Sequence, residues 1–216
     1  MRKRLLELKS LQRASCLQLD VADSSSFEEF AIQLHHILKQ EFKAETINYL
    51  VNNAGFSGYA SFSETTEKQL DDLYNVHFKG PFVLTQKLLP LIENRGGIIN
   101  ISSGLARIIY TGYSAYGSMK AAVEMLTKYQ AKELGQRKIR VNVVAPGAIE
   151  TDFGGGVVRD NVVRDNVEMN KSIAAATALG RVGLPDDIGP VVAFLCSEEA
   201  AWITGQRIEV SGGQMI

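Results

Sequence analysis

Residues 98–120 read IINISSGLARIIYTGYSAYGSMK, a short apolar run followed by the start of a long helix pattern. The run at 98–101 is typical of a buried strand, and 113–134 has the composition of a helix. The same alternation extends in both directions. Strand patterns lie at 16–21, 47–51, 139–145 and 207–210, and helix patterns at 5–11, 24–42, 66–94 with a bend at Gly80-Pro81, and 186–197. This alternation predicts an α/β fold, a doubly wound parallel sheet covered by helices on both faces.

Polar or small residues follow four of the predicted strands. They are Asp20, the turn at 52–55, the pair Ser102-Ser103 and the turn at 145–147. In doubly wound parallel sheets, ligands bind at the carboxyl ends of the strands. These four turns therefore predict one shared site on a single edge of the sheet.

Composition narrows the class of protein. The chain has 216 residues, 45% of them hydrophobic, and a formal net charge of −1. These values predict one soluble globular domain spanning 1–216, without a basic surface for nucleic acid. Cys16 and Cys196 are isolated, which indicates a reducing compartment. The apolar runs are shorter than the ~20 residues that span a bilayer. Residues 1–7 lack the apolar core of a signal peptide, so we expect a cytoplasmic protein without a membrane partner.

Tyr116 and Lys120 are four residues apart within one helix pattern. At that spacing two side chains share a helix face, with Cβ atoms about 6 Å apart. A lysine there favours the ionised phenolate, so we expect Lys120 to lower the pKa of Tyr116. Tyr110 and Tyr113 lie nearby, but only Tyr116 has a lysine at this spacing. The pattern predicts a proton-transferring tyrosine; a packed ring with an unrelated surface lysine is the structural alternative.

Several motifs occur together in a fixed order along the chain. They are Leu19-Asp20-Val21, Asn52-Asn53-Ala54-Gly55, Asn75, Ser103, Tyr116-x-x-x-Lys120, Pro146-Gly147-x-x-x-Thr151 and the ending Ile203-Thr204-Gly205-Gln206…Val210-Ser211-Gly212-Gly213. On these motifs the chain resembles the short-chain dehydrogenase/reductase family, in its 3-oxoacyl-carrier-protein reductase and glucose dehydrogenase-like branch. A lone Tyr-x-x-x-Lys arises often by chance, whereas the ordered set is specific. The resemblance covers residues 16–213, nearly the whole chain.

The resemblance implies a Rossmann-like fold and an NAD(P)-dependent oxidoreductase that interconverts a ketone and a secondary alcohol by hydride transfer. The family's catalytic residues match Asn75, Ser103, Tyr116 and Lys120. Ser103 would bind the substrate oxygen and Tyr116 would pass the proton, while Lys120 also binds the nicotinamide ribose. The cofactor-binding positions match Asp20, Val21, Asn53, Ala54, Gly55, Tyr116, Lys120, Pro146, Gly147, Ile149 and Thr151. NADP is the implied cofactor, with NAD as the alternative, and no metal is implied.

Some of these matches have structural alternatives. The family's spacing selects Ser103 over Ser102, which is then interpreted as a backbone-capping hydroxyl. Asn75 matches the asparagine that bends its helix and holds a water in the proton relay, but a surface asparagine fits the local sequence too. Asp20 matches a residue that binds the adenine amino group, and a turn aspartate at a strand end is its alternative.

One element of the family is absent from this sequence. Members begin with a strand, a glycine-rich turn and a helix that bind the pyrophosphate, but no glycine precedes Gly55 here. We therefore expect an N-terminally truncated sheet without the family's first two strands. Either the chain is a fragment, or the strand at 16–21 pairs directly with that at 47–51 and leaves no pyrophosphate site. The alternative function is a catalytically impaired relative that acts only as a folded or oligomerising protein.

The remaining features concern partners and covering loops. The resemblance implies a small-molecule carbonyl or alcohol substrate and a homo-oligomer, either a tetramer or a dimer. Residues 153–183 take the position of the family's substrate lid, and the repeat at 157–166 is interpreted as a local duplication in a surface loop. A sugar-nucleotide epimerase matches less well, because the chain lacks a separate substrate domain. The histidines show no metal-ligand grouping and are interpreted as ordinary helix residues: His35, His36 and His77.

Overall fold

A parallel four-stranded sheet forms the centre of the computed structural model, which describes residues 14–156, 158 and 164–216. The strands are β1 Ile47–Asn52, β2 Ile92–Ile101, β3 Arg140–Pro146 and β4 Arg207–Val210. They lie side by side in the order β1-β2-β3-β4. Leu50 pairs with Ile98, and Ile98 pairs with Val141. The predicted parallel α/β fold is confirmed.

Helices connect and cover the strands. Within the described ranges they are α1 Phe27–Ile37, α2 Glu67–Tyr74, α3 Gly80–Leu88, α4 Ser114–Glu133, α5 Arg164–Ala175 and α6 Pro185–Leu195. A capping box starts α2, in which the Thr66 hydroxyl accepts from the Gln69 amide and the Gln69 side chain accepts from the Thr66 amide. A π-helical turn, Asn75–Lys79, joins α2 to α3. The bend predicted at Gly80-Pro81 therefore takes the form of this wider turn.

Apolar side chains alternate between the two faces of the sheet. On one face Ile98 and Val141 pack with Ala131 of α4, and on the other Ile99 and Val144 pack with Leu195 of α6. A third cluster joins α1 to α3 through Phe27, Leu84 and Leu88. Burial on both faces explains why the strand patterns are continuously apolar. The sheet is therefore doubly wound, as predicted.

Two predicted boundaries are wrong. The helix predicted at 66–94 ends before residue 94, because β2 already begins at Ile92. The first residues of β2 pair with β1 through a register shift between Ile47 and Tyr49. Gly96 permits that pairing, since a Cβ there would collide with the carbonyl oxygen of Asn48. A strand at Ile92–Ile101 thus extends well beyond the four-residue run at 98–101 that predicted it.

The segment at 16–21 is not a strand. In the described chain β1 pairs only with β2, and 16–21 is irregular. Leu19 packs instead against the cluster between α1 and α3, and the carbonyl of Val21 lies against Gly80. The direct pairing considered above is therefore wrong, and Leu19 of this segment is instead partly buried against the helix cluster.

Three other findings bear on the sequence predictions. The predicted helix at 5–11 lies outside the described residues, as does most of the repeat at 157–166. No helix in the described ranges is both long and apolar enough to cross a membrane. Cys16 and Cys196 are free thiols.

Candidate active site

The carboxyl edge of the sheet gathers most of the candidate residues. The turn at 53–55 follows β1, Ser103 follows β2, and Gly147 follows β3. Helix α4 begins beyond this edge and contributes Tyr116 and Lys120 from its first two turns. The four turns predicted to share one edge therefore include three that lie at strand ends of the observed sheet. The fourth, at Asp20, follows an irregular segment.

Ser103 and Tyr116 form the centre of the site. Ser103 has an extended backbone, and its hydroxyl accepts a hydrogen bond from the Leu105 amide at 3.1 Å. The same side chain is hydrogen-bonded to Tyr116, which is 5% exposed. Ser102 points elsewhere: its hydroxyl donates to Glu124 at 2.8 Å beneath α4. Of the two serines, Ser103 is thus the one that reaches the tyrosine.

Lys120 lies beneath the tyrosine ring. Its ammonium donates to the carbonyl oxygen of Ile101 at 2.8 Å and stands 5.6 Å from the centroid of the Tyr116 ring. Burial lowers the pKa of Lys120 to about 8. The predicted shared helix face is observed, with the ammonium over the face of the ring.

The pKa of Tyr116 moves in the direction opposite to the prediction. Burial raises it to about 12, the hydrogen bond from Ser103 lowers it, and the neighbouring Tyr113 raises it. The prediction that Lys120 lowers this pKa is therefore wrong for the structure as it stands. The physical reason is that burial penalises the phenolate, while the Lys120 ammonium is directed at a backbone carbonyl.

His77 is a site residue that the sequence interpretation missed. It lies in the π-helical turn between α2 and α3 and is 1% exposed. Its ring is 5.2 Å from the Tyr116 ring with the planes at 87°, and its Nε2 atom is 2.8 Å from the carbonyl oxygen of Phe56. Burial, together with the charge on Lys120, lowers the pKa of His77 to about 4. The sequence interpretation placed His77 in a helix, as observed, but did not anticipate its burial against Tyr116.

A helical stripe is the signal that could have identified His77. Leu73, His77, Gly80 and Leu84 are all buried and follow the three-and-four spacing of one helix face. An ionisable residue on an otherwise apolar stripe marks a special position. Asn75, the predicted catalytic residue, is half-buried, and its side chain has no hydrogen bond to another described residue. The structure therefore brings His77, rather than Asn75, into ring contact with Tyr116.

The predicted cofactor positions near β1 differ in their exposure and contacts. Asn53, Ala54 and Gly55 are exposed at the carboxyl end of β1, and Gly55 packs under His77. A Cβ at position 55 would lie 2.8 Å from Cε1 of His77. Asp20 is also exposed, but its Oδ1 atom accepts from the Ala22 amide at 2.9 Å, as in a local turn. Val21 is half-buried beside Gly80.

The predicted positions after β3 make contacts within the chain. Pro146 ends β3, and the Gly147 amide donates to the carbonyl of Val210 at 3.0 Å. Ile149 forms an isolated bridge with Gly183. The Thr151 hydroxyl accepts from an amide two residues later at 3.2 Å. These contacts fix the loop that follows β3 at the same edge as Ser103.

An aromatic cluster surrounds the tyrosine. Tyr113 and Phe153 have ring centroids 6.4 Å and 6.0 Å from that of Tyr116, and Tyr59 is 5.4 Å from Tyr113. Phe153 is 44% exposed and Tyr59 is 69% exposed. Apolar rings left open beside a buried hydroxyl offer contact area to an apolar ligand.

The site offers groups suited to the nicotinamide-ribose end of a dinucleotide. Nδ1 of His77 is buried without a hydrogen-bond partner among the described residues, and such an acceptor costs about 1–3 kcal/mol when left unpaired. Lys120 is a nearby donor, and the turn at 53–55 is exposed beside them. A ligand rich in hydroxyl groups can supply both a donor to His77 and an acceptor to Lys120. The fit concerns this end of the dinucleotide, where the described residues supply both groups.

Comparison with known proteins assigns the fold and site to a class. A family model described as enoyl-(acyl carrier protein) reductase matches residues 1–215. An uncharacterized oxidoreductase of Methylorubrum extorquens is 38% identical over 167 residues, which are 77% of this chain and 65% of that protein. The chain therefore belongs to the short-chain dehydrogenase/reductase family, and the matched part spans somewhat less than two thirds of that relative.

Solved structures show the same likeness over the whole chain. The reductase LugOII, described as promiscuous and as catalysing a keto-reduction in lugdunomycin biosynthesis, superposes with a TM-score of 0.89 at 34% identity. The match covers 100% of this chain and 83% of LugOII. The angucycline C-6 ketoreductase LanV with bound NADP gives a TM-score of 0.85 at 33% identity, covering 94% of this chain and 76% of LanV.

Proposed function

We propose that this protein is an NADP-dependent oxidoreductase that reduces a ketone to a secondary alcohol, with NAD as the alternative cofactor. The observation that carries the proposal is the buried pair of Tyr116 and Lys120, with the ammonium 5.6 Å from the ring centroid and Ser103 close enough to lower the pKa of Tyr116. Membership of the family supports it, as does the NADP bound in the similar LanV structure. The competing proposal is a folded, oligomerising relative without turnover.

Ser103 and Tyr116 bind one carbonyl oxygen between their hydroxyl groups. Two donors to the same oxygen polarise the carbonyl carbon and fix its orientation. When bound, a reduced nicotinamide supplies the hydride that adds to this carbon. Tyr116 gives its proton to the developing alkoxide, and the resulting phenolate recovers a proton from solvent. The product is the secondary alcohol.

The raised pKa of Tyr116 favours the reductive direction. With a pKa of about 12, Tyr116 is protonated at neutral pH and is ready to act as an acid. Alcohol oxidation needs the phenolate as a base, and burial disfavours that form. The arrangement of the described residues thus suits a reductase better than an alcohol dehydrogenase.

Two groups of residues hold the cofactor in this proposal. Lys120, which now donates to the Ile101 carbonyl, would hold a hydroxyl of the nicotinamide ribose together with Tyr116. The exposed turn after β1 would hold the other ribose, since its small residues permit close approach of the backbone. The remaining cofactor-binding positions are Asp20, Val21, Pro146, Gly147, Ile149 and Thr151. Asn75 is retained only as a residue that shapes the helix between α2 and α3.

The open aromatic rings support a bulky, largely apolar ketone as the proposed substrate class. Tyr113 and Phe153 flank Tyr116, and Tyr59 extends the same surface outward. Rings of this kind bind planar aromatic groups by stacking and edge contacts. Of the similar structures, LanV is described as an angucycline C-6 ketoreductase, and LugOII as catalysing a keto-reduction during lugdunomycin biosynthesis. The ring of Phe153, at the start of the predicted lid, lies 6.0 Å from that of Tyr116, which supports a lid role for the described part of that segment.

The assembly and cellular location complete the proposal. We place the protein in the cytoplasm as a homo-oligomer, a tetramer or a dimer. Exposed apolar residues near the end of the sequence supply contact area for such an interface. The most exposed of them is Trp202, at 98%. Light scattering of the purified chain measures the mass, and a monomer at micromolar concentration would refute this part alone.

Loss of absorbance at 340 nm tests the proposed activity. NADPH or NADH is mixed with the protein and a ketone panel that contains aliphatic and polycyclic aromatic members. We expect turnover with NADPH and a preference for the aromatic ketones. Binding of NADPH without turnover across the panel would favour the non-catalytic alternative. Absence of both binding and turnover would refute the proposal.

A further inference from the structure

We infer that His77 is a positioning residue of the proposed active site. Its Nε2–H group donates to the carbonyl of Phe56, and its ring packs against the ring of Tyr116 and holds it in place. Its Nδ1 atom accepts a hydrogen bond from an O–H group. That O–H group belongs to a water molecule or to a cofactor ribose in the working complex. The inference rests on the proposed function for its kinetic consequence. Its structural content, the proton position and the acceptor, can be measured without any turnover.

The tautomer of His77 follows from its partner. Nε2 lies 2.8 Å from the carbonyl oxygen of Phe56, and a carbonyl can only accept a hydrogen bond. The amide of Phe56 is 3.5 Å from the same nitrogen, which is too long to compete. The proton therefore sits on Nε2. Since burial and Lys120 keep the pKa of His77 at about 4, the neutral ring leaves Nδ1 as a lone-pair acceptor.

The unpaired Nδ1 atom indicates that a partner is missing from the protein itself. Nδ1 has no donor among the described residues although the side chain is 1% exposed. Buried polar atoms are almost always hydrogen-bonded to protein or to ordered water. The groups facing the ring are Phe56 and Gly55 after β1, and Tyr116 and Lys120 on α4. A small hydroxyl donor at this point would lie within the site that Tyr116 and Lys120 define.

Three substitutions of His77 distinguish the role of Nδ1 from that of Nε2. Asparagine places a polar atom near the position of Nδ1, whereas glutamine places one near the position of Nε2. His77→Asn thus retains the acceptor, His77→Gln retains the tie to Phe56, and His77→Phe retains only the ring. His36→Gln is the matched control, because His36 is exposed on α1.

The expected result is a rank order in kcat with NADPH and an accepted ketone. His77→Gln and His77→Phe lose at least about tenfold, as expected for one lost hydrogen bond near the reacting group. His77→Asn keeps more activity than either. Equal kcat for His77→Asn and His77→Gln, at equal melting temperatures, would overturn the inference. If His77→Gln weakens NADPH affinity, the donor is a ribose hydroxyl; if only kcat falls, the donor is a water.

Nitrogen-15 NMR of the imidazole provides the readout that does not depend on turnover. We expect His77 to show a protonated Nε2 and an unprotonated Nδ1, and we expect the Nδ1 resonance to shift when NADPH is added. The signal is assigned by its loss in His77→Asn. A protonated Nδ1 would overturn the inference even if the protein reduces ketones. The expected tautomer in a protein without turnover would leave the inference standing and refute the proposed function.

Discussion

The imidazole ring of His77 stands edge-on to the phenol ring of Tyr116, with the centroids 5.2 Å apart. The same imidazole lies 5.3 Å from the Phe56 ring and is hydrogen-bonded to the Phe56 carbonyl. One buried side chain thus connects the turn after β1 to the proton donor on α4. The position of Tyr116 depends on that turn.

Gly55 offers a test of this connection. A Cβ at this position would meet Cε1 of His77 at 2.8 Å, so Gly55→Ala displaces the imidazole. We expect Gly55→Ala to lower kcat by about tenfold through misplacement of Tyr116. In a His77→Ala background the same change has little effect, because the ring it displaces is gone. A double-mutant cycle on kcat measures the coupling.

The matched control for this cycle is Gly135→Ala. A Cβ at position 135 meets no atom within 4 Å. We expect it to leave kcat and the melting temperature unchanged. Equal losses from Gly55→Ala with and without His77 would show that Gly55 acts through another contact.

The two reaction directions differ in their pH dependence. Because the pKa of Tyr116 is raised to about 12, the phenolate needed for alcohol oxidation increases with pH. We expect kcat/KM for oxidation to rise from neutral pH to about pH 10, by up to about tenfold per unit. Ketone reduction needs the protonated phenol, so the ionisation of Tyr116 leaves kcat/KM for reduction unchanged over this range. An oxidation rate that is flat over this range would contradict the raised pKa.

Lys120→Arg separates the effect of Lys120 ionisation on the pH profile from that of Tyr116. The pKa of Lys120 is lowered to about 8 by burial, so its proton is lost within the same range. Arginine remains charged throughout. A change near pH 8 that is present in the wild type and absent in Lys120→Arg belongs to Lys120.

His77 makes the folded protein sensitive to acid. Its pKa falls from 6.5 to about 4 on folding, so the unfolded chain binds more protons between these values. The free energy of unfolding therefore decreases as the pH drops from about 6.5 to about 4, by at most about 3 kcal/mol. Urea denaturation at neutral pH and at about pH 5 is expected to show a smaller decrease in His77→Asn than in the wild type. Identical decreases would mean that His77 is not held neutral.

Phe153 tests the proposed substrate class. Its ring lies 6.0 Å from that of Tyr116, and Phe153→Ala removes one side of the aromatic surface. We expect KM to rise by about tenfold for a polycyclic ketone and little for a small aliphatic one. Phe62→Ala is the control, since Phe62 is 86% exposed. Equal effects on both ketones would contradict an aromatic binding surface.

Local pattern was sufficient for those elements whose apolar run is unbroken and packed in the sheet or against it. The strands at β1, β3 and β4 and the helix α4 were predicted within one or two residues, because both faces of the sheet are buried and the patterns are unbroken. The segment at 16–21 has an equally apolar pattern. It is not a strand, because it pairs with no described strand and its Leu19 packs instead against the cluster between α1 and α3.

The site shows the same division between local and long-range effects. The spacing of Tyr116 and Lys120 correctly predicted one shared helix face. The direction of the Tyr116 pKa was wrong because it depends on burial and on the Ile101 carbonyl, which local spacing does not reveal. His77 was missed because its importance arises from contacts with residues distant in the chain, although the buried helical stripe marked its position.

Transfer of deuterium from NADPH that carries deuterium at both C4 positions, [4,4-²H₂]NADPH, is the most direct test of the central claim. The wild type and Tyr116→Phe are each incubated with the labelled cofactor and an aromatic ketone, and the product is analysed by mass spectrometry. The wild type is expected to form the secondary alcohol with deuterium on the carbinol carbon. Tyr116→Phe is expected to be slower by about 10²–10⁴ while its melting temperature and NADPH binding are retained. No deuterated alcohol from the wild type, or equal amounts from both proteins, would contradict the account.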